Sequence, residues 1–365
     1  MKMIKSTEYR LGQLCKRFSS GKGISAELIS NEGDYPVIGG NGLRGYTDTF
    51  NFDGECAVIG RQGAYCGNVK YFSGKGYMTE HAVVTEPTDE HNAKYMTYKL
   101  GGLQLGRFSG QAAQPGLSVT KLARLRIEMP PKWYQDKVAF VLSSYDNLIE
   151  VNNQRIKVLE QMAENLYKEW FVRFRFPGHE TAEFENGLPK GWRIEKVGTV
   201  CDIITGKKDA NEATGNGKYP FFTCARETTL STDEYILDTD AVLISGNGSY
   251  TGLVKKYSGK FDLYQRTYAL FNFVDIEWLY LYWTFKTQFE REYMGGSHGS
   301  AIPYITKPNI EKFKIIVPTP NLQRRSQELF ERIHNECIKL EEQTANLIKQ
   351  RDLLLPRLMS GKLCI

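Results

Sequence analysis

Short apolar or alternating runs recur through the first 131 positions, among them Cys56-Ala57-Val58-Ile59 and Leu125-Arg126-Ile127-Glu128-Met129, with glycines between them. That pattern predicts short strands joined by glycine turns. After Pro130-Pro131 the period changes. Residues 132–172 contain neither glycine nor proline, and apolar residues return every three or four positions: Val138, Val141, Tyr145, Leu148, Ile156, Leu159, Met162 or Ala163, Leu166 and Trp170. This predicts one long amphipathic helix. Pro177-Gly178 stops it within a polar linker, 173–190. Residues 191–318 then repeat the strand pattern, including a short aromatic run, Trp278 to Trp283, that reads as buried helix. Residues 319–358 repeat the helix, with Leu329, Ile333, Leu340, Leu347, Leu354 and Leu358 as its apolar positions.

The second half is a diverged copy of the first. A shift of about 185 positions carries Ser20-Gly21-Lys22 onto Thr205-Gly206-Lys207, and Tyr35-Pro36 falls on Tyr219-Pro220 one position short of it. The run from Gly63 to Val69, with Ser73-Gly74-Lys75, falls on Gly248 to Val254, with Ser258-Gly259-Lys260. Thr120-Lys121 falls near Thr306-Lys307, and Pro130 with Gln135 near Pro318 with Gln323. A period this long denotes a duplicated domain with its following helix, not a solenoid.

Each helix has a narrow apolar seam near the heptad period, which calls for a partner helix, and the other helix is the nearest candidate. With a folded domain between them, an antiparallel pair is the simpler topology. Asn152 and Thr344 fall at or near the seam, where a polar residue fixes register; solvent exposure is the alternative. A helix of this length extends about 55 Å. The expected fold is α+β: two tandem mixed α/β domains, 1–131 and 191–318, separated by two long helices, 132–172 and 319–358, that form an antiparallel coiled coil and hold the two heads apart.

With 365 residues, 41% of them hydrophobic and 24% charged, the chain has ordinary globular composition and length for two cores. The beginning, Met1 to Ser6, has no apolar signal region, and no apolar run reaches the roughly 18 residues of a membrane span. The expected location is the cytoplasm, without membrane association. Seven cysteines lie scattered with no Cys-x-x-Cys pair, which argues against a disulfide framework or a zinc site. A net charge of +5 is compatible with nucleic acid without singling it out.

Catalytic signatures are missing. The sequence holds no Gly-x-x-x-x-Gly-Lys-Ser/Thr loop and no His-Glu-x-x-His. Pro130-Pro131 lies between Met129 and Lys132 and does not form the Asn/Asp-Pro-Pro-aromatic motif of an adenine methyltransferase.

Further local motifs follow the same order. Glu169-Trp170-Phe171-Val172-Arg173-Phe174 and Pro177-Gly178 end the first helix, and Leu188-Pro189-Lys190-Gly191-Trp192 opens the second domain. Each helix is entered by proline, four residues and glutamine, and the chain closes on Leu354-Leu355-Pro356-Arg357-Leu358-Met359-Ser360-Gly361-Lys362-Leu363. Taken together and in order, these features resemble the specificity (S) subunit of a Type I restriction-modification system over essentially the full length. The chain departs from the pattern where the first domain opens Glu8-Tyr9-Arg10-Leu11-Gly12, and where Ala301-Ile302-Pro303 stands opposite Gln114-Pro115. The resemblance implies a non-catalytic reader with two target-recognition domains. One such subunit joins two modification subunits that methylate adenine at N6. Two restriction subunits complete the endonuclease. S-adenosylmethionine, ATP and Mg are then expected on the partners and no cofactor on this chain. The target implied is double-stranded DNA, bipartite and asymmetric, one half-site per domain. A free-standing DNA-binding scaffold and a coiled-coil protein adaptor are the alternatives.

Base-edge contacts specify a sequence and phosphate contacts position the protein. Arginine offers a bidentate match to guanine, asparagine or glutamine one to adenine. The loop candidates for DNA binding in the first domain are Lys22, Arg44, Arg61, Gln62, Lys75, Arg107, Gln111 and Lys121. In the second they are Lys207, Lys208, Arg226, Asn247, Lys260, Arg266, Ser297, His298 and Lys307. The alternative for each is a solvated turn residue. The aromatic run Trp170 to Phe176 is expected to pack the helix base against the domains, with a docking surface as the alternative.

Overall fold

A computed structural model describes residues 4–110, 116–294, 304–363 and 365. The chain divides into two compact units: Met1–Asn153 with Glu342–Ile365, and Gln154–Glu341. The expected Gln111, Ser297 and His298 lie outside the described residues.

The first unit contains strands β1 (Thr7–Arg10), β2 (Cys15–Ser20), β3 (Tyr35–Gly39), β4 (Gly42–Thr47), β5 (Phe52–Gly60), β6 (Val69–Met78), β7 (Ala82–Pro87) and β8 (Arg126–Met129), with helices α1 (Ala93–Gly101) and α2 (Val119–Ala123). A six-stranded sheet has the order β2-β7-β5-β6-β3-β4, with β3 and β6 parallel and the other neighbours antiparallel. Strand β1 pairs with β8, Thr7 opposite Met129, and so ties the start of the unit to the residues just before the long helix α3 (Lys132–Tyr167). The apolar run in β5 has a simple cause. Ala57 and Ile59 enter a core with Leu11, Leu14 and Tyr95, while Cys56 and Val58 enter another with Ile38, Phe52 and Met78. Successive strand residues face opposite sides, and here both sides are covered.

The second unit contains β9 (Phe184–Glu185), β10 (Leu188–Pro189), β11 (Arg193–Lys196), β12 (Asp202–Thr205), β13 (Tyr219–Phe222), β14 (Leu230–Thr232), β15 (Leu237–Ser245), β16 (Val254–Leu263), β17 (Thr267–Phe271) and β18 (Lys314–Val317). Its helices are α4 (Trp278–Thr284), α5 (Glu290–Met294) and α6 (Lys307–Glu311), followed by the long α7 (Pro320–Met359). The sheet order β12-β17-β15-β16-β13-β14 reproduces the first unit strand by strand, down to the parallel pair, and β11 pairs with β18 as β1 does with β8. The duplicated sequence is a duplicated topology. Residues 173–190 also hold structure of their own: β9 and β10 form a hairpin whose turn residues, Asn186 (φ 52°) and Gly187 (φ 80°), are both left-handed. Asn-Gly favours that turn because neither residue meets the usual steric penalty there.

The Pro-x4-Gln motif is a lock between each long helix and its own unit. Gln135 is fully buried; its Oε1 accepts from the Asn92 N–H (3.0 Å) and its Nε2 donates to the Pro130 carbonyl (2.8 Å). Gln323 repeats this with the Glu277 N–H (3.1 Å) and the Pro318 carbonyl (2.9 Å), and also donates to the Asp275 carbonyl (3.2 Å). Replacing either glutamine by leucine orphans buried backbone groups, at a cost of about 2–4 kcal/mol. Urea unfolding of Gln323→Leu should show a lower midpoint; an unchanged midpoint would remove the lock.

The long helices run antiparallel where they meet. Within the first unit, the Tyr134 hydroxyl donates to the Leu358 carbonyl (3.0 Å), and Arg351 bonds Asp146 (2.8 Å), so rising numbers on α3 face falling numbers on α7. Within the second unit Arg155 pairs with Glu336 (3.3 Å). Asn152 and Thr344 are both buried, as the seam reading requires, and the Thr344 hydroxyl has no hydrogen-bond partner among the described residues. One seam assignment changes and one open choice is resolved. Leu148 is 52% exposed, and of the pair Met162 or Ala163 it is Ala163 that is buried. The smaller residue sits inward because Ala163 packs in a core crowded by Tyr167, Trp170 and Tyr280. Trp170 and Phe171 are buried on a π-helical turn (Lys168–Val172), and Phe174 and Phe176 pack on Trp192, so the aromatic run serves packing.

His334 on α7 lies against the Trp278 ring (5.3 Å), with both ring nitrogens buried and unbonded among the described residues. Burial, helped by Lys256 and opposed by Asp240 and Glu160, pushes its pKa down to about 4. The folded state therefore binds the proton less readily than the unfolded state, whose histidine titrates near 6.5. Stability from this group is complete above about pH 6.5 and is lost as pH falls toward 4, on the order of 1–2 kcal/mol allowing for its partial exposure. Urea midpoints between pH 7 and 5 should fall more steeply for the natural chain than for His334→Leu; equal slopes would contradict the assignment.

Candidate nucleic-acid interface

The turns that carry the candidate residues are held by one hydrogen-bond frame, built twice. In the first unit, Gly67 N–H donates to the Gly60 carbonyl (2.8 Å) and Gly60 N–H to the Asn68 carbonyl (2.8 Å), closing the loop after β5 on itself. Arg61 N–H then reaches the His81 carbonyl (2.9 Å), and Leu117 N–H reaches the Arg61 carbonyl (2.9 Å). In the second unit, Gly252 N–H bonds the Ser245 carbonyl (2.8 Å), Ser245 N–H the Leu253 carbonyl (3.0 Å), Gly246 N–H the Arg266 carbonyl (2.8 Å) and Ile305 N–H the Gly246 carbonyl (2.8 Å). Gly63 and Gly248 turn these loops at φ 82° and 83°, a left-handed conformation glycine adopts without steric cost.

The Ser/Thr-Gly-Lys turn joins the same frame. Gly21 N–H bonds the Ala82 carbonyl (3.0 Å) and Lys22 N–H the Met78 carbonyl (3.0 Å). A Cβ on Gly21 would fall on the Met78 carbonyl, and one on Gly206 on the Leu263 carbonyl. Close backbone approach, not flexibility, is why glycine stands there.

The frame gathers some candidates and leaves others apart. Lys22 is exposed beside the Met78–Ala82 turn, and the Arg61 guanidinium reaches Ser20 (3.5 Å), so the two turns adjoin. Gln62 is exposed and bridges to Gly116, and Arg44 is exposed on β4 with its side chain folded over Gly39. Arg107 follows Gly106, whose backbone abuts Gly67, and stacks on Phe108 (4.8 Å). Lys121 is exposed on α2. In the second unit Arg226 stacks over Tyr250 (5.7 Å) and Asn247 bridges to Tyr304, while the exposed Arg266 lends its carbonyl to Gly246. Lys207 is exposed, and Lys307 begins α6 with Glu311 at 3.6 Å.

Three lysines are engaged elsewhere. Lys208 is bound to Asp262 (2.8 Å) and Glu234 (3.2 Å), which raise its pKa against the effect of burial. Since Asp262 is 4% exposed, this ammonium neutralises a buried carboxylate. Lys75 lies over the Phe50 ring (5.0 Å), and Lys260 over Tyr235 (4.9 Å) with Asp238 at 4.0 Å. The sequence reading passed over Lys70 and Lys255, whose ammonium groups bond carbonyls of the β3–β4 and β13–β14 loops. Their common position after Val69 and Val254 was the available signal.

Among the described residues, no helix is long and apolar enough to cross a membrane, and no group of His, Cys, Asp and Glu is arranged to hold a metal.

Residues 3–161 and 189–350 match the family described as Type I restriction modification DNA specificity domain. Over 180 residues, 48% of this chain, the sequence is 37% identical to the specificity subunit of type I restriction enzyme EcoDI from Escherichia coli; the match spans 39% of that relative's length. The MjaIX specificity subunit of Methanocaldococcus jannaschii is 28% identical over 309 residues, 76% of this chain and 70% of the relative. Among solved structures, the S subunit of a Type-I restriction-modification system from M. genitalium superposes with a TM-score of 0.70 at 18% identity, covering 97% of this chain and 96% of that one. That last likeness concerns the fold.

Proposed function

The chain belongs to the type I restriction-modification DNA specificity family, and we propose that it reads a bipartite, asymmetric double-stranded DNA target with one half-site per unit. The observation that carries this reading is the frame built twice and decorated differently. Arg61-Gln62 in one copy stands where Gly246-Asn247 stands in the other, and His81 where Arg266 stands. Equal scaffolds with unequal base-reading side chains suit two unequal half-sites. Lys22 and Lys207, alike in both copies, suit phosphate, which is the same everywhere. The long helices act as the spacer between the half-sites.

In this reading the chain itself carries no catalytic centre and no cofactor. Two modification subunits bring S-adenosylmethionine and methylate adenine at N6, and two restriction subunits bring ATP and Mg chemistry, all in the cytoplasm. The exposed apolar row on the first-unit part of α3, Trp133, Phe140, Leu148 and Val151, supports a protein partner on that face.

Co-expression with a modification subunit in a methylation-free host, followed by genome-wide mapping of N6-methyladenine, tests the proposal. The expected result is one asymmetric motif with a fixed unspecified gap. Exchanging residues 191–318 for another reader domain should then change one half-site only. If both proteins associate and no methylation follows, a DNA-binding scaffold takes its place; if the exchange alters both half-sites, the one-unit-one-half-site assignment is wrong.

A further inference from the structure

The hairpin that carries Arg44 in the first unit and its counterpart carrying Arg226 in the second are built differently. In the first, β3 and β4 pair to the tip, Gly39 opposite Gly42, and only residues 40–41 turn. In the second, pairing stops at Phe221 opposite Leu230, and residues 223–229 form an open loop. An open loop leaves backbone carbonyls without strand partners.

The same lysine meets both loops. Lys70, at the start of β6, donates from Nζ to the Asn41 carbonyl (2.7 Å). Lys255, its repeat equivalent at the start of β16, donates to the Ala225 carbonyl (2.7 Å) and approaches the Thr228 hydroxyl (3.5 Å). The surroundings are fitted to this contact. A Cβ on Gly42 (φ 107°) would stand 2.9 Å from Lys70 Nζ, so the glycine leaves room for the ammonium. Lys255 lies over the Phe222 ring (5.7 Å), and burial lowers its pKa. A charged donor on a carbonyl is stronger than a neutral one, and three N–H groups let one lysine serve loops of different shape.

We infer that Lys70 and Lys255 are positioning residues for sequence readout, each bracing the base-reading loop of its own unit against the sheet. The consequence for specificity rests on the DNA-reading proposal; the bracing itself does not. Two measurements on the full chain separate them. Amide exchange at millisecond to second times should speed up about tenfold at residues 39–44 in Lys70→Met, and at 223–230 in Lys255→Met, with the other unit unchanged. Lys70→Arg and Lys255→Arg, which keep a charged donor, should stay near the natural rates. In the methylation map, Lys70→Met should relax discrimination about tenfold in one half-site and Lys255→Met in the other. Unchanged loop exchange in both methionine variants overturns the brace, whatever the DNA result. Loosened loops with an unaltered motif overturn the role in readout. A natural chain that directs no methylation while its variants still loosen their loops upholds the brace and defeats the DNA-reading proposal instead.

Discussion

Removing four residues from the middle of each long helix is expected to shorten the unspecified gap in the methylated target by about one to two base pairs and to leave both half-sites unchanged. Four residues are about 6 Å of helix, and successive base pairs lie about 3.4 Å apart. The side chains that would touch bases sit on the two sheets and the segments that connect their strands, outside the excised turns, so the words read stay the same. Taking equal lengths from both helices preserves the antiparallel pairing marked by Asp146 with Arg351 and Arg155 with Glu336. Mapping N6-methyladenine for the shortened chain decides the matter. An unaltered gap, or a change of base within either half-site, would remove the helices from the role of spacer.

Replacing Gly206 by valine is expected to unfold the second unit's sheet edge and to abolish recognition of one half-site. The obstacle to a Cβ is the Leu263 carbonyl, with Tyr264 close behind, and both are backbone, which cannot swing aside as a flexible side chain does. Strand β12 would have to leave its register with β17, Asp202 opposite Phe271 through Thr205 opposite Tyr268, and expose Ile203, which is 5% accessible. The cost is several kcal/mol, on the order of 3–5. Thermal unfolding should show an earlier transition, and binding to DNA bearing only the other half-site should persist. Gly21→Val is the mirror experiment in the first unit, where the Met78 carbonyl stands in the same place. A Gly206→Val chain with the natural midpoint would mean that the turn has room the geometry denies it.

Much of the fold was legible because its signals are local or periodic. The change from runs broken by glycine to a glycine-free helical period after Pro131 marks the start of α3 at Lys132. The repeat of about 185 residues predicts two like domains, and the sheets share one strand order. Seam residues were legible only as a stripe. Leu148 faces outward and Ala163 inward because the neighbour filling each position, not the period, decides which of two adjacent apolar residues fits.

The candidate interface divides in the same way. Glycines at turns with basic and amide residues beside them are readable as loops, which brought Arg61, Gln62, Asn247 and Arg266 forward. Whether a lysine in such a loop is free is a matter of what lies across from it. Lys208 meets Asp262, 54 positions away, and Lys70 meets a carbonyl 29 positions away. Both pairings arise from strand order, which brings distant segments side by side; no spacing along the chain encodes them.

The duplication, the alternation of domain and helix, and the family could be read before any coordinates, because each is written in local pattern or in similarity between segments. Which polar side chains are held by partners and which remain exposed follows from the folded arrangement alone. Burial and hydrogen bonding depend on groups that become neighbours when β16 lies against β13 and β15, and the chain has no nearer record of them.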